Sequence, residues 1–309
     1  MELHRIKGFL LAIIGASLWG FSGNTAQYLF SEYAIQADWL VSVRMVSAGL
    51  LLLLLATFQK SRKDVLRIWK EQKSRTSLVI FSMAGMLSAQ LTFFIAIEKG
   101  NAPTATLLQF LGPVFITLYF SLKMLKLPAK HEASAIAFAL AGTFLLLTNG
   151  NVSKIAVPAD AVLWGVLSGV AVAVYTVYPV QLLKQWPSAV IVGWSMVIGG
   201  SVLSLYTQPW NTAVPSSAAF WSLLLFVIVF GTLLPFYLYL DSLRYITSTE
   251  TSLLGSAEPL VATFVSVLWL HTSFGLFQWA GAVFIILTVF LLSVPRTNTI
   301  RDSNTVHIN

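Results

Sequence analysis

No cysteine occurs in this chain of 309 residues. That absence removes disulfides, zinc ribbons, thiol nucleophiles and cysteine-ligated clusters. Charge is nearly as scarce: Asp, Glu, Lys and Arg make up 10% of the residues, where a soluble domain carries roughly a quarter. Ten percent is too little to solvate a soluble protein of this size, which argues against an ordinary cytosolic enzyme, a disordered chain or a nucleic-acid partner. Histidine is thin and scattered. His4 and His307 lie in the tails, while His131 and His271 lie at the edges of apolar segments, so no metal site is expected. No G-x-x-x-x-G-K-[ST] loop is present, and no His-Glu-x-x-His or Gly-x-Ser-x-Gly falls within an apolar segment. ATP drive in cis and enzymatic chemistry are therefore not expected, and neither catalytic residues nor a cofactor are assigned.

What is abundant is apolar length. Hydrophobic residues make up 57% of the chain. A hydrocarbon core of ~30 Å takes about 20 residues of helix, and ten segments approach that length: 8–30, 39–58, 77–97, 104–122, 132–148, 160–180, 189–207, 220–240, 250–270 and 274–294. The first follows a basic stretch, 1–7, but has no small-x-small cleavage site after a short apolar core, so it reads as a retained membrane helix. The expectation is an all-α, multi-pass membrane protein whose solvent is the lipid bilayer.

The few charges then become informative. With the N-terminus inside, the inside segments hold sixteen of the nineteen Lys and Arg residues, the outside loops hold Lys99 and Lys154, and Arg44 lies within a span. The 59–76 loop alone carries seven of the sixteen. Such asymmetry predicts ten spans with both termini cytoplasmic. That loop also has a sharper reading, as a sensor of anionic lipid, although topology alone accounts for it. The net charge of +7 is thus a record of orientation.

The chain also repeats itself. Ala16-Ser17-Leu18-Trp19-Gly20 in the first span recurs as Ala161-Val162-Leu163-Trp164-Gly165 in the sixth. Pro113 in the fourth span matches Pro259 in the ninth, and the same register pairs Leu107-Leu108 with Leu253-Leu254 and Thr117 with Thr263. Five spans is an odd number, so two such repeats enter the membrane with opposite polarity, a plan common among secondary transporters. The expected division is 1–150 for the first five-helix repeat, 151–296 for the second, inverted one, and 297–309 for a cytoplasmic tail. A substrate site is then expected near the midplane, between the halves.

These features resemble the drug/metabolite transporter superfamily, in particular its ten-span EamA-type branch. The resemblance spans nearly the whole chain and rests on several motifs. Trp19-Gly20 and Trp164-Gly165 open the two halves, and Val43-Arg44-Met45 lies in the second span. Phe94 to Lys99 leads into Leu107-Leu108 and Gly112-Pro113, and its second-half counterpart, Tyr239 to Arg244, leads into Leu253-Leu254 and Glu258-Pro259. A departure stands where the family often has an acidic residue after the fourth and ninth spans: here Lys126 and Thr272 occupy those positions. The resemblance implies a bacterial cell-membrane permease that exports small metabolites or amphipathic compounds, with some members importing instead.

Two ionisable residues lie inside spans, where they are costly and so are functional candidates. Glu258 is ~12 Å deep at 1.5 Å per residue. It reads as a coupling or gating residue that carries a proton or meets a cationic group, or as an anchor bonded to neighbouring helices. Pro259 frees a backbone carbonyl one turn earlier. Arg44 reads as a ligand for a substrate carboxylate, or as the partner of Glu98 or Asp38 in an ion pair, or as a side chain snorkelling toward the outer headgroups. Among neutral polar residues, Asn24, Gln27, Gln90 and Gln109 read as the wall of a hydrated cavity, with hydrogen bonding between helices as the alternative. Of the 40 aromatic residues, Trp39, Trp186, Trp210 and Trp221 fit an interfacial belt. Trp19, Trp164, Tyr175 and Tyr178 lie deeper and read as substrate contacts through stacking or cation–π interaction, against ordinary packing. The leading function is therefore a secondary transporter exporting amino acids or related small metabolites. Import of a cationic or zwitterionic nutrient and multidrug efflux are the alternatives.

Overall fold

The computed structural model describes residues 2–58, 62–125, 127–151, 156–246 and 248–293. Lys60, Lys126, Lys154, Arg296 and the 297–309 tail lie outside the described residues. Those described form helices and connections with no strand among them.

The ten long helical segments are numbered α1 to α10. They are α1 (Glu2–Tyr33), α2 (Ala37–Thr57), α3 (Gln72–Lys99), α4 (Ala102–Met124), α5 (Lys130–Thr148), α6 (Ala159–Gln185), α7 (Ser188–Thr207), α8 (Ala218–Ser242), α9 (Ser248–Gly255 with Ala257–Trp269) and α10 (Leu276–Leu292). Eight of them are long and apolar enough to cross a bilayer. The apolar parts of the ninth and tenth, Leu253–Trp269 and Leu276–Leu292, are shorter. Local chemistry sets several starts. The Asn101 side chain accepts from Thr104 N–H with Pro103 in the first turn of α4. Ser217 accepts from Phe220 N–H at α8. Gln278 accepts from Gly275 N–H at α10. Each satisfies a helix N–H that would otherwise lack a partner in a site poor in water.

Five helices are irregular: α6 is interrupted at Tyr178–Pro179, and the other four form two matching pairs. In α4 the helix breaks between Gln109 and Gly112, and in α9 at Ser256. Both breaks stand just before a proline, Pro113 and Pro259, which lacks the N–H and clashes with the carbonyl four residues back. In α3 and α8 the helix widens into π-turns, at Phe81–Leu87 and Val229–Leu233. Thr232 Oγ1 donates to Val227 O at 3.0 Å across the wider turn in α8, which supplies a partner to a displaced carbonyl.

The packing pairs match too. α2 lies along α7 and α5 along α10; α1 packs on α8 and α9, while α6 packs on α3 and α4. α5 and α10 meet at Gly142 and Gly281, where a Cβ on either would fall within 3 Å of the other's carbonyl oxygen. The main core joins α1, α2, α3, α7 and α8 around Leu40, Met45, Phe94, Met196 and Phe220. Trp39 and Trp186, assigned to the interfacial belt from sequence, are instead buried, because each indole N–H finds a partner inside: Pro209 O at 3.3 Å and Ser74 Oγ at 2.9 Å. Trp210 and Trp221 are exposed.

The two ends of the bundle differ. At the end carrying the basic loop, Arg5 pairs with Glu250 at 2.5 Å, Lys7 Nζ donates to Tyr245 OH at 2.9 Å, and Trp194 Nε1 donates to Val65 O at 2.8 Å. The opposite end is tied by Ala102 N–H to Gln27 Oε1 at 2.8 Å and by Gln278 Nε2 to Leu146 O at 3.2 Å.

Candidate substrate cavity

A cavity of about 660 Å³ lies among α1, α2, α3, α4, α6, α7, α8, α9 and α10. That is the size range of sites that hold small molecules. Its walls descend from Arg44 and Trp19 near the middle of the bundle to Leu183, Ser188 and Leu292 at the basic end. Toward the other end, Tyr33, Trp39 and Phe220 close over one another, with ring centroids 5.3 Å apart for Tyr33–Phe220 and 6.2 Å for Trp39–Phe220. The wall of the cavity thus runs toward one end of the bundle, and these packed rings stand at the opposite end, outside the wall.

Six of the residues singled out from sequence line it: Trp19, Arg44, Gln90, Gln109, Tyr175 and Glu258. The helix breaks help to put them there. Gln109 is the last residue before the break in α4, and Glu258 follows the break in α9 directly before Pro259. Trp19 is held against Phe236 edge-on at 5.0 Å and against Tyr239 at 5.1 Å. Across the cavity, Tyr175 stacks on Phe81 at 5.5 Å. Phe81 belongs to the π-turn of α3, so the widened backbone places an aromatic ring on the wall.

Arg44 is 2% exposed. Its guanidinium carbon lies 4.2 Å from the centre of the Phe94 ring, a cation–π contact, and Nε and Nη1 have no hydrogen-bond partner. It joins neither Glu98 nor Asp38: the ion pairs among the described residues are Arg5–Glu250 and Arg244–Asp241.

The other four lie off the wall. Asn24 is buried and donates through Nδ2 to Gly20 O in its own helix and to Ala262 O in α9, both at 2.9 Å. Gln27 holds the start of α4. Trp164 packs against the main core. Tyr178 is 39% exposed, next to the interruption of α6 before Pro179. Sequence reasoning passed over Phe81 and Phe236, because nothing in a chain rich in phenylalanine marks these rings from those facing lipid, and it took Phe94 only as the start of a passage that resembles the family. Tyr239 carried a signal, since it opens the second-half passage that answers Phe94 to Lys99.

Comparison with known proteins points one way. The EamA-like transporter family profile matches twice, over residues 6–148 and 160–294. An uncharacterized inner membrane transporter of Salmonella typhimurium, YicL, is 38% identical over 296 residues, covering 96% of this chain and 98% of that one. The uncharacterized transporter YyaM of Bacillus subtilis is 23% identical over 305 residues, covering 95% and 97%. One crystal structure superposes with a TM-score of 0.63 over 94% of this chain and 96% of its own, at 16% identity, a likeness of fold alone.

Proposed function

This chain belongs to the EamA-like transporter family, and on that premise we propose that it is a secondary active transporter that exports amino acids or related small metabolites by alternating access. One observation supports the reading: a cavity lined by helices of both sequence halves, holding a buried cation and a carboxylate, with a wall that runs toward one end of the bundle while packed aromatic rings stand at the other. A cavity directed to one side is what a carrier presents between two exchanges, and the absence of a nucleotide-binding loop favours drive by a gradient.

The halves, 1–150 and 151–296, are read as inverted five-helix repeats. The twofold profile match supports this, as do the paired proline breaks and paired π-turns. On the charge asymmetry, the basic end is cytoplasmic and both termini lie there. The wall of the cavity then runs toward the cytoplasm, the side from which an exporter loads. Trp19, Arg44, Gln90, Gln109 and Tyr175 are the proposed substrate contacts, and Glu258 the proposed coupling residue. Asn24 and Gln27 are better read as ties between helices.

The test is flux through purified protein in liposomes, with amino acids on one side and an imposed proton gradient. Movement that depends on the gradient is expected. Protein that moves no amino acid, amine or drug under any gradient overturns the reading, and strict inward net flux in cells replaces export by import.

A further inference from the structure

The cavity holds a cation that has no ion-pair partner among the described residues. Arg44 is 2% exposed, yet two of its three guanidinium nitrogens have no partner. The ring of Phe94 at 4.2 Å offsets part of its lost hydration. An unpaired charge in such a place is nevertheless expensive to keep. Glu258, the other ionisable residue on the wall placed inside a span, forms no ion pair with it. What would pay this cost is a ligand.

We propose that Arg44 recognises a carboxylate on the substrate, so that the substrate class is amphipathic carboxylates: a carboxylate head on an apolar or aromatic body. The proposal rests on the transporter reading and narrows it. Guanidinium offers a planar fork of N–H donors that fits a carboxylate through two parallel hydrogen bonds, and Arg44 has such donors free. Its position fixes the pose. Arg44 lies on the wall at the end away from Leu183, Ser188 and Leu292, so a carboxylate seated there leaves the body of the ligand among Trp19, Phe81, Tyr175, Phe236 and Tyr239. An amino group, where present, falls on the side of Glu258. An amine that lacks the carboxylate enters the same cavity against an uncompensated positive charge.

The experiment compares four probes that share one benzyl body: phenylalanine, 3-phenylpropionate, phenylalaninamide and phenethylamine. Thermal shift and equilibrium binding are measured on the full chain in nanodiscs, because a ligand of the folded state stabilises it by mass action. The two carboxylates are expected to stabilise wild-type protein, and the amide and amine to bind roughly 30-fold more weakly or worse. Arg44→Gln should erase that preference, while Arg44→Lys, which keeps the charge without the fork, should retain part of it. The wild-type comparison stands even if Arg44→Gln fails to fold. Three results overturn the proposal: equal binding of amide or amine, equal stabilisation by chloride or phosphate, or a wild type that responds to neither carboxylate. The same probes in proteoliposomes separate this from the transporter reading. Carboxylate binding with no flux of any solute sinks transport and leaves the carboxylate site standing. Flux of the amine at the rate of the carboxylate does the reverse.

Discussion

Two crossings that the proposed inverted repeat would make equivalent are built differently. Where α1 crosses α9, a Cβ on Gly20 would stand 2.6 Å from Glu258 O and 2.9 Å from Ala262 N. Where α6 crosses α4, a Cβ on Gly165 would stand 2.5 Å from Leu108 Cδ1 and 2.9 Å from Leu108 Cβ. In the register that pairs Pro113 with Pro259, the counterpart of Glu258 is Gly112, not Leu108. The second crossing is therefore made four residues, or one helical turn of ~5.4 Å, earlier along its partner. The halves share their breaks and π-turns but sit in different registers. On the proposed inverted repeat and alternating access, that difference would set which end of the cavity is open. Exchanging the registers, so that Gly20 meets Leu254 and Gly165 meets Gly112, would close the basic end and open the other, a one-turn slide of a known kind.

The chemistry is less symmetric than the backbone. Glu258 answers to a glycine in the first half, and of Trp19 and Trp164, both half-buried against the same core, Trp19 alone lines the cavity. Replacing Glu258 is the largest test of that asymmetry. Glu258→Gln should lower gradient-driven transport by ~100-fold, leave substrate counterflow in liposomes within a few-fold of wild type, and leave Tm unchanged. A large fall in Tm with counterflow lost in proportion would instead make Glu258 the anchor of α9.

The crossings themselves come next. Gly20→Ala drives a methyl against the backbone of α9, which cannot rotate aside as a side chain can. Overpacking of this kind costs ~1–3 kcal/mol, and a fall in Tm of roughly 5–10 °C in detergent is expected. Gly165→Ala meets a leucine side chain and should lose about half as much. Equal losses would break the claim that the two registers differ.

Trp19→Ala against Trp164→Ala is smaller but more direct. Removing Trp19 takes away the ring that holds Phe236 and Tyr239 in place. Binding of an aromatic probe should weaken about tenfold, or ~1.4 kcal/mol. Trp164→Ala should lower Tm and leave that affinity alone. If the two variants weaken binding alike, the cavity is more symmetric than its wall suggests.

Much of this was legible in the sequence, for identifiable reasons. Membrane spans declare themselves because lipid admits few charges, and proline announces the breaks in α4 and α9. The π-turns did not show. A widened turn depends on what packs against it, and 81–87 carries no proline to mark it. Of the candidate site, the residues that are expensive to bury were visible: Arg44, Glu258, Gln90 and Gln109 all lie on the wall. Asn24 and Gln27 are equally expensive, yet their amides are spent on backbone groups of neighbouring helices. Residue type alone does not say whether a polar group faces a cavity or a neighbour.

Asn24 offers the finest test of the two registers. Its amide spans the α1–α9 crossing by donating to Ala262 O, and its counterpart in the second half is Gly169, which can make no such bond. In the exchanged register that amide would face the carbonyl one turn earlier, at Glu258. The bond to Ala262 therefore belongs to the state that is open at the basic end. Asn24→Ala removes it at a cost of ~0.6–1 kcal/mol, which shifts the balance between states by roughly three- to fivefold. The absence of native cysteine makes this measurable with a single introduced thiol at Ser188, at the basic end of the wall. Labelling of that thiol relative to labelling of a thiol at Val214, beside the packed rings of the opposite end, should fall by the same three- to fivefold when Asn24→Ala is added. Unchanged labelling at both positions would mean that the bond is made equally in both states, and the one-turn difference between the crossings would then have to be a fixed feature of the fold.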